Sequence, residues 1–397
     1  MTDFRFKASL AKEAGFAPEV LAELPAYVDV KVANGDIAGA VMLLARGDKL
    51  IFSSVSGYCD IERRTALQHD AIFTLYSMSK PLTAVGILTL FDEGHWKLDD
   101  PVSRFLPEFA DIAALPGSGA TREPTMLELF THTAGFSFGR TPEEVLQTIE
   151  RVDWSGARSL SQLIGRYAAM PLSYQPGEDW QYSVATDLQA EIVERITGER
   201  FDLYMAKRVF EPLGMVNTGF RLDHEQSRRL VNGYIQDPES GRLRPATEAE
   251  KLESIFPMGG TSFKSTALDY ARFARMLLNR GRLGDARILS AEAVDLMLSN
   301  HLSDDFLETT RGVQHYVLGN GNGHGLNGLV CVDPVRAGRP VGKGTYEWGG
   351  AFGTWFWVDP ANDVLFVGMT NLRRGQGDMR PLDVISQDIV YRAFEEQ

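Results

Sequence analysis

Cysteine is scarce. Cys59 and Cys331 are the two in 397 residues, too few for a disulfide framework or a four-thiolate zinc site. Long apolar runs are missing too. Stretches such as Ala40 to Ala45 fall far short of the ~20 residues that span a bilayer, so no membrane partner is expected. The opening residues, Met1 to Lys7, hold no apolar core of a secretion signal, which makes a cytoplasmic location with reduced thiols the expectation. Basic charge is in deficit, with 40 Lys and Arg against 53 Asp and Glu and a net charge of −13. An acidic surface aids solubility and argues against nucleic acid as a partner. The seven histidines show no ligand spacing, so no metal and no organic cofactor are expected. There is no internal repeat and no low-complexity tract.

What remains is an ordinary globular composition, 44% hydrophobic and 23% charged. At roughly 100–200 residues per domain, the length predicts two to three structural units. Ala17 to Asn34 has helical spacing. Ala38 to Arg46 is an apolar run of strand length, Gly47-Asp48 is a turn, and Leu50 to Ser56 resumes the strand pattern. This predicts a β-hairpin inside a covered sheet. From about Lys80 to Asn279 helix signals dominate. Leu82 to Phe91 stops at Gly94, Tyr182 to Thr197 ends at Gly198, and Thr266 to Asp269 caps a helix ahead of Tyr270 to Asn279. Strands return at Gly353 to Met369, around an Asp359 to Asn362 turn, and Pro381 to Phe394 is an amphipathic helix. Strands at both ends and helices between them predict one sheet built from both termini with a helical unit inserted. We place the sheet domain at 1–90 and 260–397, the inserted helical domain at 91–259, and the site in the cleft between them.

Two motifs are distractions. Gly135-Phe-Ser137-Phe-Gly139 matches the nucleophile elbow G-x-S-x-G, but a helix end precedes it where that motif needs a strand. Gly323-His-Gly325-Leu-Asn-Gly328 matches G-x-G-x-x-G, but the strand-like Leu329 to Val332 follows it where a dinucleotide site needs a helix. A glycine-rich loop and a hairpin are the better readings.

The motif with chemistry is Ser77-Met-Ser-Lys80. Ser and Lys three apart share a helix face, so hydroxyl and amine can meet. A partly desolvated lysine in a first turn is biased toward its neutral form and could take the serine proton. Ser9 to Lys12 repeats the spacing, but on a solvated helix face. Ser77 instead follows the strand-like Ala71 to Tyr76 and precedes an apolar helix, the junction a nucleophile suits. In isolation a capping serine with a surface lysine competes with this reading. Tyr182, after the Pro176-Gly177 turn, could relay protons, or simply pack with its hydroxyl wet. Trp348-Gly-Gly-Ala351 could bring a strand edge close to a ligand, with the N–H groups of Ala351 and Ser77 as an oxyanion hole. A bulge or a strand start is the plain alternative.

Together, Ser77-x-x-Lys80, Tyr182-Ser-Val184 and Trp348-Gly-Gly350 occur in the order and spacing of the serine β-lactamase and penicillin-binding protein superfamily. The chain resembles its class C β-lactamase-like branch, and specifically the family VIII carboxylesterases. Leu127 to Gly135, Phe210 to Phe220 and Gly259 to Phe273 resemble further signatures of that family, and the likeness runs from about residue 17 to the end. The resemblance implies an α+β fold of β-lactamase/transpeptidase type, with an antiparallel sheet flanked by helices and an inserted helical domain. It implies Ser77, Lys80 and Tyr182 as the catalytic set.

Two departures point to substrate. The family's β-lactamases carry Asn where Val184 stands, and a lysine where Trp348 stands. Losing a cation that binds a carboxylate disfavours penicillins and cephalosporins, whereas an indole offers an apolar wall. The expectation is a serine esterase of short to medium acyl esters, with acyl transfer where an alcohol replaces water. The pocket is expected to use Trp348, Gly349, Gly350, Phe136, Trp180 and Phe352. An amide hydrolase or D-residue peptidase with the same three residues is the alternative. A non-catalytic penicillin-recognising sensor is a third, disfavoured by the lack of a signal or anchor.

Overall fold

The computed structural model describes residues 8–112, 122–138, 147, 148, 150, 152–251, 254–304, 306, 318–373 and 382–394. Helix α1 (Glu23–Ala33) leads into the hairpin of β1 (Gly39–Arg46) and β2 (Lys49–Asp60). The hairpin turns at Gly47, whose φ of 55° suits a residue without a Cβ. Alternate side chains of β1 enter different cores. Val41 and Leu43 join the larger cluster, and Ala40, Met42 and Leu44 join the smaller one with Leu24 and Val28 of α1. A strand covered on both faces has no polar positions to alternate with, which is why this run reads as continuously apolar.

The main sheet gathers both ends of the chain. Its other strands are β3 (Thr65–Ala66), β4 (Asn322–His324), β5 (Leu329–Cys331), β6 (Tyr346–Gly349), β7 (Thr354–Asp359) and β8 (Val364–Thr370), in the order β4-β5-β6-β7-β8-β1-β2-β3. Every neighbouring pair is antiparallel, and β1 meets β8 from Ala40↔Thr370 to Arg46↔Val364. The G-x-G-x-x-G stretch is the β4–β5 hairpin, as expected. Helix α1 and the C-terminal helix Leu382–Arg392 cover one face.

The other face carries the helices that matter for the site: α2 (Ser79–Asp92), α3 (Met126–Thr131), α4 (Leu160–Ala168), α5 (Ala185–Thr197) and α6 (Ala267–Leu278). Residues Ser79 to Leu90 of α2 are buried on every side, the signature of a central helix. Pro81 is tolerated there because first-turn N–H groups have no intrahelical partner. Gly94 (φ 79°) ends the turn after α2, Gly198 (φ 69°) caps α5, and Thr266 caps α6 through the Asp269 N–H at 3.2 Å. Helix α5 starts at Ala185, three residues later than the sequence pattern suggests, so Tyr182 stands in the segment ahead of it. No helix among the described residues is long and apolar enough to cross a membrane.

Candidate active site

Ser77 lies in a single 3-10 turn, Tyr76–Met78, that runs straight into α2. Tyr76 just before it has a φ of 48°, uncommon for a bulky side chain. Surrounding groups pin this backbone. Tyr270 of α6 donates to Met78 O at 2.8 Å, Asn327 donates to Lys80 O at 3.0 Å, and the Phe263 N–H donates to Ser79 Oγ at 3.2 Å. The glycine pair after Trp348 serves the same junction. A Cβ on Gly350 would lie 2.2 Å from Leu75 O, so β6 reaches the chain ahead of Ser77 because that residue is glycine. Trp348 belongs to β6 and Gly350 to Gly353 make the turn into β7; the motif closes one strand and opens a hairpin.

Three distant segments meet here. Tyr182 Oη lies 2.6 Å from Ser77 Oγ, and Lys80 Nζ lies 3.5 Å from the same oxygen. Lys80 Nζ also donates to Gly260 O at 3.0 Å and sits 4.7 Å from the centre of the Tyr182 ring. Lys80 is buried, while Ser77 and Tyr182 keep partial access to solvent. A half-buried serine hydroxyl with two proton-carrying neighbours, reachable from outside, is the arrangement nucleophilic catalysis needs.

The remaining expected residues divide. Trp348 lies 6.0 Å from the Tyr182 ring and Gly349 ends its strand, while Ala351 is exposed in the following turn. Val184 is buried, so the place of the lactamase asparagine is apolar in space as well as in sequence. Trp180 is fully buried, packed edge-on to His132 and against His324 and Leu318, behind the Tyr182 surroundings. Phe136 meets Phe109 edge-on in the core. Phe138, two residues on and half-buried, is the phenylalanine that faces Tyr182, at 6.1 Å, with Trp154 beyond it at 5.5 Å. Phe352 stacks on Tyr76 at 4.7 Å and borders a cavity of about 190 Å³ with Phe73 and Asn371, away from Tyr182. Gly139 lies outside the described residues. Ser137 sits in the loop after α3, without the preceding strand that an elbow needs.

Four buried polar residues near the site were not anticipated. His132 caps α3 with φ 58° and shares a hydrogen bond with Ser183 Oγ at 3.1 Å. His324 donates from Nδ1 to Gly325 O at 2.7 Å, leaving Nε2 as an acceptor. Burial holds both imidazoles below the ordinary range, His324 at about 4. Asp187 accepts from the Gly260 N–H at 2.9 Å and from Tyr167 at 3.4 Å, and burial pushes its carboxyl up to about 6. Gln189 pairs with Asn327 at 3.0 Å and so steadies the group that holds Lys80 O. The only prior signal was the Leu127 to Gly135 signature containing His132. Among the described residues no three His, Cys, Asp or Glu side chains are grouped to hold a metal.

A family model described as Beta-lactamase matches residues 24–388, and the chain belongs to that family. It is 30% identical over 396 residues to esterase EstB of Burkholderia gladioli, covering 94% of this chain and 96% of EstB. An uncharacterised protein of Mycobacterium tuberculosis is 33% identical, with 84% of this chain and 85% of that protein covered. Among solved structures, EstCE1, described as a hydrolase with promiscuous acyltransferase activity, superposes with a TM-score of 0.81 at 25% identity, covering 94% and 99% of the two chains. Simvastatin synthase LovD of Aspergillus terreus shares the fold, with a TM-score of 0.80 at 21% identity over 95% and 99%.

Proposed function

We propose that the chain is a serine carboxylic ester hydrolase that works through an acyl-serine. The observation that carries this is the approach of the Tyr182 phenol and the Lys80 amine to one serine hydroxyl, at 2.6 and 3.5 Å. Ser77 Oγ attacks the ester carbonyl while Tyr182 and Lys80 share the work of taking its proton. The N–H groups of Ser77 and Ala351 hold the oxyanion, and Tyr182 returns a proton to the leaving alcohol. Water then attacks the acyl-serine by the reverse path. An alcohol in place of water gives acyl transfer. EstB is named an esterase, and EstCE1 is named for both reactions, which supports this reading. The sheet part, residues 1–90 and 260–397, and the helical insertion, 91–259, form the two walls of the cleft in this proposal.

The substrate is a small neutral ester. Trp348, Tyr182, Phe138 and Trp154 form a run of neighbouring rings beside Ser77, an apolar wall for an acyl or alcohol group. With Trp348 in place of a lysine, a β-lactam carboxylate loses a charged hydrogen bond worth roughly 1.5–3 kcal/mol.

The test compares variants on a nitrophenyl butyrate. Ser77→Ala should reduce hydrolysis to background, and Ser137→Ala should retain most of it. The opposite pattern would assign the nucleophile to the loop serine. On the unsubstituted enzyme a chromogenic cephalosporin should open at least about tenfold more slowly than the ester is cleaved. Comparable rates would show that the missing cation does not exclude lactams.

A further inference from the structure

We infer that Asp187 is a positioning residue that holds Lys80 as an ammonium beside Ser77, which leaves Tyr182 to take the serine proton. The inference rests on the ester hydrolase reading and assigns roles within it. It reverses the neutral lysine suggested by the sequence alone.

Gly260 is the link. Its N–H donates to Asp187 Oδ1 at 2.9 Å, and its carbonyl accepts from Lys80 Nζ at 3.0 Å. A Cβ built on Gly260 would lie 3.1 Å from Lys80 Nζ and 3.2 Å from Asp187 Oδ1. Amine and carboxylate therefore border the same small gap, and only a glycine leaves it open to both. The loop is seated by its neighbour. A Cβ on Gly259 would lie 2.2 Å from Thr186 O, and Thr83 donates to Gly259 O at 2.6 Å.

Both charged groups are buried, Lys80 3% and Asp187 4% exposed. An isolated buried charge is costly, and an opposite charge across a shared gap lowers that cost for each. Among the described residues, Lys80 of α2 and Tyr167 of α4 are the titratable groups that face Asp187, and His132 beyond α3 faces Lys80. Lys80 is the one cation among them. The carboxyl, raised to about 6 by burial, is ionised at neutral pH.

The contacts of Lys80 suit a cation: a carbonyl, a hydroxyl and the face of an aromatic ring. The phenol oxygen is also the nearer group to Ser77 Oγ. In the acylation step Tyr182, having first released its own phenol proton to solvent, takes the proton from Ser77 as Oγ bonds to the carbonyl carbon. The carbon–alkoxide bond then breaks, and Tyr182 gives that proton to the alkoxide. Lys80 keeps its proton throughout, its positive charge stabilising the phenolate it sits over. Asp187 makes no contact with the reacting atoms and acts through Gly260 and the charge it presents to Lys80.

The experiment is the pH–rate profile of Asp187→Asn on nitrophenyl butyrate. The amide keeps an oxygen for the Gly260 N–H and removes the charge. The amine should then lose its proton at lower pH. The alkaline limb should move toward acid by about one pH unit or more, with kcat down at least about tenfold and KM within about twofold. Limbs in place with kcat within about twofold would overturn the role. So would an acid limb that moves down while activity near pH 6 rises, the result expected of a lysine base. If this variant does not fold, Gly260→Ala takes its place, since its methyl would enter the gap between the two groups. The same shift supports the role and unmoved limbs overturn it. Capture of wild-type Ser77 by a fluorophosphonate separates the two readings. Without capture the ester hydrolase reading fails, whereas capture with unmoved limbs removes the Asp187 role alone.

Discussion

In the proposed reaction one hydroxyl carries the chemistry, and its neighbours decide what it can do. Ser77, Lys80 and Tyr182 were legible in the sequence because each sits in a short motif whose order and spacing are specific together. Tyr182→Phe keeps the ring that packs against Trp348, His132 and Phe138 and removes the oxygen 2.6 Å from Ser77. It should lower kcat by roughly 10²–10⁴, with little change in KM or Tm, read from steady-state kinetics and a thermal melt. Retention of full kcat would leave the phenol without a catalytic part. Asp187 and Gly260 were not legible in this way. They meet Lys80 across more than 70 residues of chain, and no local pattern marks a carboxylate that will be buried. Trp180 shows how closeness in sequence and closeness in space part company. It stands two residues from Tyr182 in sequence but one layer deeper in space, between His132 and His324.

Elements place these residues by closing on one another. Helix α2 could be read from its apolar content and its stop at Gly94, and the cap at Thr266 from its spacing to Asp269. The start of α5 could not, because Tyr182 to Val184 are as compatible with a helix as with the segment that carries Tyr182 to Ser77. Packing, not propensity, sets that boundary. Gly350→Ala would place a methyl 2.2 Å from Leu75 O and 2.3 Å from Thr354 Oγ1. It should cost roughly 1–3 kcal/mol in urea unfolding and lower esterase activity, since Leu75 leads into the Ser77 turn. Thr266→Ala removes the α6 cap and should cost about 1 kcal/mol, yet leave kcat close to wild type because Tyr270 still reaches Met78. If the glycine change is silent and the cap change is not, the closeness of β6 to the nucleophile is not what holds the site.

At the scale of the whole molecule, the eight-stranded sheet explains why both ends of the chain read as strand and its middle as helix. It also explains why the two-sided core could not be resolved from sequence, since β1 and β7 are apolar toward both faces. The buried polar groups tie stability to pH. His132 and His324 are held neutral in the fold, His324 at about 4, while each would titrate near 6.5 when unfolded. The unfolded chain thus binds more protons as pH falls from about 6.5 toward 4, and the stability they contribute is lost in that window. Asp187 acts in the opposite sense, because a carboxyl raised to about 6 favours the fold as pH falls from 6 toward 4. Burial also lowers His69 and raises Asp269 and Glu194, but between pH 7.5 and 5 the unfolded histidines take up protons that the buried imidazoles refuse, which leaves a net loss. Tm should be lower at pH 5 than at pH 7.5, and His324→Gln should narrow the difference; an unchanged difference would contradict the buried neutral imidazole. The claim beneath all of this is that an ester is cleaved through a covalent acyl group on one serine. Rapid quenching during turnover of a nitrophenyl ester, followed by peptide mass mapping, tests it most directly. The account predicts the acyl mass on the peptide containing Ser77. Turnover with that mass on the peptide containing Ser137, or with no acyl-peptide at all, would contradict it.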